Sequence, residues 1–298
     1  METMADNQTE EKAKIRIGYI FLAFVPFAVL MAIQTIVQLP GVILSVMDMS
    51  KNGQPFTTDL LMSTFNEKYG LISYTVYALA AIAVFLPWYY RSVVKNGPKI
   101  IYKKALGVRP VLSSAAVMVC MYFVVTALLT MMNNIAPGAM ESYKKLVETS
   151  ALGVDMAITI VYTILLAPIA EELCFRGVMQ GMLEKSNLPV RNVILIQSIL
   201  FGVMHMNLVQ GLYAVILGMI LGYLRYKYKT IILNAGVHMF FNFVGTIVAG
   251  WLEKFNIPDH LSMIFGGIGL ALAAAILVLI GKDRTLYSEK REEQKVIS

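Results

Sequence analysis

Two adjacent carboxylates, Glu171 and Glu172, and one guanidinium, Arg176, stand inside a stretch that is otherwise apolar. No residue from Met156 to Ala170 is charged, and Val178 to Leu183 is again uncharged. Charge at bilayer depth is costly, so such a cluster marks a functional site. Three more polar groups follow in apolar surroundings: His205, His238 and Asn242. A carboxylate paired with a histidine can take a proton from water, and His and Asn can donate hydrogen bonds to a developing oxyanion. Together these are the parts that hydrolysis of a peptide bond requires.

The spacing lets these groups meet. Glu171 lies 14 residues from Lys185, His205 lies 14 from Arg191, and Asn242 and His238 lie 13 and 9 from Lys229. With those cations at one membrane edge, the first three sit roughly 20 Å deep and His238 roughly 14 Å deep, at about 1.5 Å rise per residue. Three different helices thus bring polar groups to similar levels, provided that the first continues past Gly177 and Gly181. His238 and Asn242 are four residues apart and share a face, as do Glu172 and Arg176. Glu171 projects about 100° from Glu172, so one carboxylate can pair with Arg176 while the other faces a cavity. Pro168 has no N–H, which leaves the carbonyl of Ile164 without its helical partner.

The elements that must hold this cluster are membrane helices. Of the 298 residues, 57% are hydrophobic and only 15% charged, too few charges for a soluble domain of this size. The reading is an all-α polytopic membrane protein of eight spans enclosing an intramembrane polar cavity. The spans are 17–47, with Pro26 kinking the helix and Pro40 ending its regular part, then 71–90, 111–133, 153–184, 191–209, 211–224, 230–250 and 261–281. Polar loops are expected at 48–70 and 134–151. As units these are a cytoplasmic tail (1–16), three N-terminal helices (17–151), a core (152–250), a last helix (251–281) and a second cytoplasmic tail (282–298). Eight spans put both termini on one side. That side then holds 20 of the 25 Lys and Arg, with Arg176 counted in its flanking loop, which makes it the cytoplasm. The net charge of +6 therefore reflects topology rather than nucleic-acid binding. No removable signal peptide is expected, and the simple chain leans towards a bacterial plasma membrane.

Other chemistries weigh less. Two Glu and two His at one depth could bind zinc, but no His is followed by Glu, so the HExxH helix motif is absent. No GxSxG occurs. Cys120 and Cys174 lie in apolar runs and read as buried reduced thiols. His260, in a loop beside Pro258 and Asp259, has no expected role in the chemistry. Gly218 and Gly222 form a GxxxG, a mark of close helix packing.

Glu171-Glu172-x-x-x-Arg176, Phe201-x-x-x-His205 and His238-x-x-x-Asn242 resemble the three motifs of the CAAX protease and bacteriocin-processing family, the type II CAAX prenyl endopeptidases or glutamic intramembrane proteases (Abi proteins in bacteria). The resemblance covers residues 152–250. It implies an eight-helix-type core with Glu171 activating water, assisted by His205. His238 and Asn242 would form the oxyanion site, Glu172 and Arg176 would hold the geometry, and Phe201 would pack beside it. No cofactor is implied, although zinc stays open because the family has also been described as metal-dependent. The expected activity is intramembrane cleavage of prenylated CAAX-type or membrane-associated peptides. The implied partners are a peptide or lipidated peptide and membrane lipid. Two alternatives remain: a non-catalytic scaffold or bacteriocin-immunity protein that binds a peptide in the same cavity, and an ion or proton carrier.

Overall fold

In lipid, every backbone N–H and C=O must be paired within its own segment, so long apolar runs fold as helices. The computed structural model describes residues 14–95, 97, 102–151, 160–255 and 257–283. Helix α1 runs Ile17–Lys51 and α2 Thr58–Val94. A short α3 (Tyr102–Ala105) precedes α4 (Val108–Ile135) and α5 (Pro137–Ala151). The central helix α6 is described over 160–184. Then come α7 (Val190–Met204), α8 (Leu208–Tyr228), α9 (Ile231–Leu252) and α10 (Asp259–Lys282). Among the described residues there is no strand. The protein is an all-α integral membrane protein that crosses the bilayer several times.

Among the described residues, six helices are long and apolar enough to cross: α1, α2, α4, α8, α9 and α10. The other two expected spans are helical but differ. Helix α6 carries the charged cluster, and its expected first turns, 153–159, lie outside the described residues. So do the two tails, apart from residues 14–16 and 282–283. Helix α7 has 15 residues, a length of about 22 Å against about 30 Å of hydrocarbon. It ends at Met204, not near 209 as expected. His205 caps it, and Met206 turns the chain with φ 51°.

Three further expectations are corrected. Helix α1 passes through Pro40 and breaks instead at Ala23–Phe24. Pro26 then occupies the first turn of the longer piece, where its missing N–H removes no bond. The expected loop 48–70 is mostly helix: α1 continues to Lys51 and α2 begins at Thr58, capped by the Thr57 hydroxyl, which accepts from the Leu60 N–H. The expected loop 134–151 holds the helix α5, opened by Pro137. It rests on the bundle through buried Met140 beside Met132 and Val209, and Lys145 pairs with Asp59.

Two apolar cores result. One surrounds α6, from Leu30 and Phe85 to Phe175, Met179 and Phe201. The other joins α4, α8, α9 and α10 through Met118, Met121, Leu221 and Phe241. The GxxxG packs as expected. A Cβ at Gly218 would lie 3.1 Å from the Ser198 Cα, and one at Gly222 would lie 2.4 Å from Gln197 Nε2, so α7 and α8 lie close together.

Candidate active site

Local backbone geometry places the cluster. Helix α6 widens into π turns over Val161–Leu166 and Glu172–Met179, with Ala167–Glu171 between them. Such widened turns occur often at functional sites. The Ala167 N–H bonds the Tyr162 carbonyl. In that register the Thr163 carbonyl awaits the N–H of residue 168, which is proline. The expectation of an orphan at Ile164 assumed α register and is one residue off. The side chain of Asn242 covers the Thr163 carbonyl, Nδ2 donating at 2.9 Å, and so ties α9 to α6. Below the cluster, Gly177 and Gly181 admit α2: a Cβ there would lie 3.0 Å from Tyr89 and 2.5 Å from Val93.

Glu172 and Arg176 are fully buried. Arg176 Nη1 donates to Glu172 Oε1 at 2.9 Å, across one turn of the same helix. His238 Nδ1 lies 3.0 Å from the same oxygen. With Glu172 ionised, Nδ1 carries the proton and donates, which fixes the tautomer of neutral His238 and leaves Nε2 unprotonated. Nε2 faces Glu171 Oε2 at 3.7 Å. One imidazole thus lies between the two carboxylates, hydrogen-bonded to Glu172 and facing Glu171. The guanidinium also lies over the ring of Phe201, 4.2 Å from its centroid.

Glu171 differs from its neighbour. Its side chain is 16% exposed and Glu172's is 1%. Tyr77, Tyr162, Tyr213 and His205 lie within electrostatic range of it. His205 has Nδ1 2.8 Å from the Phe201 carbonyl. That acceptor assigns the proton to Nδ1, so Nε2 of the neutral ring carries a free lone pair. Phe201 separates the histidines, with edge-to-face contacts at 5.1 Å to His205 and 5.9 Å to His238.

Residues 153–244 match the family model described as Type II CAAX prenyl endopeptidase Rce1-like. The match covers 92 of the 298 residues. The family is one of CAAX-type membrane proteases. No curated protein and no solved structure matches the chain.

The fold joins six of the seven expected residues in one contact network, and Asn242 reaches the same helix α6 farther along, at the Thr163 carbonyl. Glu171, Glu172 and Arg176 come from α6, Phe201 and His205 from the end of α7, and His238 and Asn242 from α9. The pairings differ in one respect from the expectation. The histidine in contact range of Glu171 is His238, not His205, although the depth count put His238 about 6 Å nearer the inner edge. Helix depth gives Cα level only, and an imidazole spans such an offset. The tyrosines around Glu171 and the Thr163 carbonyl carried no signal in the sequence beyond the proline at 168. Cys174 is buried and reduced, with Sγ 3.6 Å from the Pro26 carbonyl. Cys120 is likewise buried and free. His260 is exposed in the first turn of α10. Among the described residues, no group of three or more His, Cys, Asp or Glu side chains is arranged to hold a metal ion.

Proposed function

We propose that the protein is an intramembrane endopeptidase in which Glu171 activates water. One observation carries this reading. Of two adjacent carboxylates, Glu172 is buried and its Oε1 is held by Arg176 and His238, while Glu171 is partly exposed beside His238 and within electrostatic range of His205. The water would donate one hydrogen to Glu171 and the other to the lone pair on His205 Nε2, leaving its oxygen aimed at the scissile carbonyl. As the C–O bond forms, Glu171 takes a proton. The oxyanion then accepts from the second amide hydrogen of Asn242 and, when His238 Nε2 carries a proton, from that ring as well. Breaking the C–N bond returns the Glu171 proton to the leaving amine. The products are an amine and a carboxylic acid, whose remaining water-derived proton passes to His205 Nε2 and on to solvent, and Glu171 is regenerated.

The substrate class is a prenylated CAAX-type or other membrane-associated peptide. Both termini lie in the cytoplasm, and the Lys185, Arg191 and Lys229 ends of the core helices face it. The membrane is a bacterial plasma membrane. No metal takes part in this scheme.

The test compares wild type with Glu171→Ala in detergent, on prenylated and unprenylated peptides, with and without chelator. Cleavage that survives chelator and is lost in Glu171→Ala is expected. Loss in both would make the carboxylates and histidines metal ligands. Wild-type binding without cleavage would make the cavity a scaffold or immunity site.

A further inference from the structure

A second polar layer lies inward of the reacting groups, and it belongs to the same three helices. Gln180 stands eight residues beyond Glu172 on α6, Gln197 eight before His205 on α7, and Asn234 four before His238 on α9. Each donates its amide to one turn of α8. Gln197 Nε2 reaches the Gly218 carbonyl at 2.9 Å, Asn234 Nδ2 the Leu221 carbonyl at 2.6 Å and Gln180 Nε2 the Gly222 carbonyl at 3.0 Å. These bonds fix the amide orientations, since a flipped amide would set oxygen against carbonyl oxygen.

The other end of each amide is the informative one. Gln180 Oε1, Gln197 Oε1 and Asn234 Oδ1 are buried, with no hydrogen-bond partner among the described residues. The same holds for Glu172 Oε2 and for three donors, Arg176 Nε and Nη2 and Arg225 Nε. Arg225 shares a face of α8 with Gly218, Leu221 and Gly222, at the i, i+3, i+4, i+7 spacing. A cation would suit the oxygens but not two arginines, and an anion would suit the arginines but not four acceptors. Only a ligand that both donates and accepts satisfies the set, and water is that ligand. The layer also reaches the surface. Glu172, Arg176, Gln180 and Glu184 follow at four-residue steps along α6, and Gln180 Nε2 lies 3.3 Å from Glu184 Oε1. Glu184 lines a recess of about 190 Å³ with Val193, Tyr226 and Lys229, room for several waters at about 30 Å³ each.

We propose that this layer is a path of buried water, running from the recess past Gln180 and Arg176 to Glu172, which resupplies the hydrolytic water while a peptide fills the exposed side of the cavity at Glu171. Its purpose rests on the hydrolytic reading above; its hydration does not. Gln180 is a positioning residue that holds the path open at its narrowest polar step.

Pulsed hydroxyl-radical footprinting of the full chain in detergent reads the hydration without substrate. Radicals formed from bound water label side chains that bulk radicals do not reach. Leu183 and Leu221 are fully buried and flank the path. Both are expected to be labelled in wild type, to lose the label in Gln180→Met, and to regain it in Gln180→Asn, which keeps an amide donor and an acceptor oxygen. With cleavable peptide, Gln180→Met is expected to lower kcat about tenfold, the scale of one lost hydrogen-bonded contact, with KM unchanged. Unlabelled leucines in wild type would overturn the path. So would labelling that Gln180→Met leaves intact, or a loss of label with kcat untouched. A labelled path in a protein that cleaves no peptide would sink the protease reading and leave the hydration standing.

Discussion

Two pairs of elements in this molecule hold together by opposite means. Helices α4 and α10 meet through small residues: a Cβ at Gly266 would lie 2.2 Å from the Ala127 Cβ, and one at Gly269 would lie 2.8 Å from the Cys120 carbonyl. Between those glycines the contact is shape, and an ion pair lies at the helix ends, Arg109 Nε with Asp283 Oδ2 at 3.6 Å. Helices α6 and α9 meet through side-chain hydrogen bonds, Glu172 to His238 and Asn242 to the Thr163 carbonyl. Lipid tails are as apolar as leucine, so close packing suffices to join two membrane helices. The polar ties of α6 and α9 therefore cost desolvation that a purely structural contact would avoid. What they provide is position: two carboxylates, an imidazole and an amide held at fixed angles. The difference separates the part of the fold that carries the protein from the part that carries the reaction.

The comparison can be broken from the polar side first. Glu171→Gln keeps the size of the side chain and removes the base, and kcat is expected to fall by about 10³-fold, within the usual range for a lost general base. Single-turnover cleavage measures it, and the folded fraction should be unchanged. Arg176→Ala leaves Glu172 buried and without its guanidinium, at a cost of about 3–5 kcal/mol, read as loss of folded protein in denaturant titration. Asn242→Ala removes both the tie to Thr163 and one oxyanion donor, and is expected to lower kcat about 10²-fold. If Asn242→Ala lowers stability but not kcat, the residue is a tie only. From the apolar side, Gly266→Leu overpacks α4 against α10 and should cost about 1–3 kcal/mol, while kcat per folded molecule stays at the wild-type value. A fall in kcat there would join the two regions that the comparison separates.

The sequence was readable where one physical rule dominated. Charge inside an apolar run pointed to Glu171, Glu172 and Arg176, and the four-residue spacing predicted the Arg176–Glu172 pair found at 2.9 Å. The apolar runs predicted the helices, because lipid leaves the backbone no other choice. Several features were hidden where two rules compete. The polar stretch 134–151 reads as a loop by composition, yet it folds as a helix once Met140 finds Met132 and Val209 to pack against. Pro168 frees a carbonyl, but which one depends on a π register that residue spacing does not encode. The bridge from His238 to both glutamates depends on side-chain reach across helices, which a count of Cα levels cannot supply. Gln180, Gln197 and Asn234 lie far apart in the sequence, and only the turn of α8 that their amides share relates them.

The central claim is that Glu171 activates water rather than attacking the peptide itself. Single-turnover cleavage in ¹⁸O-labelled water, with mass analysis of product and protein, tests it directly. The account predicts one ¹⁸O in the new carboxylate of the product and none in Glu171. Label in Glu171, or a peptide trapped on it as an acyl-enzyme, would contradict it and make the residue a nucleophile.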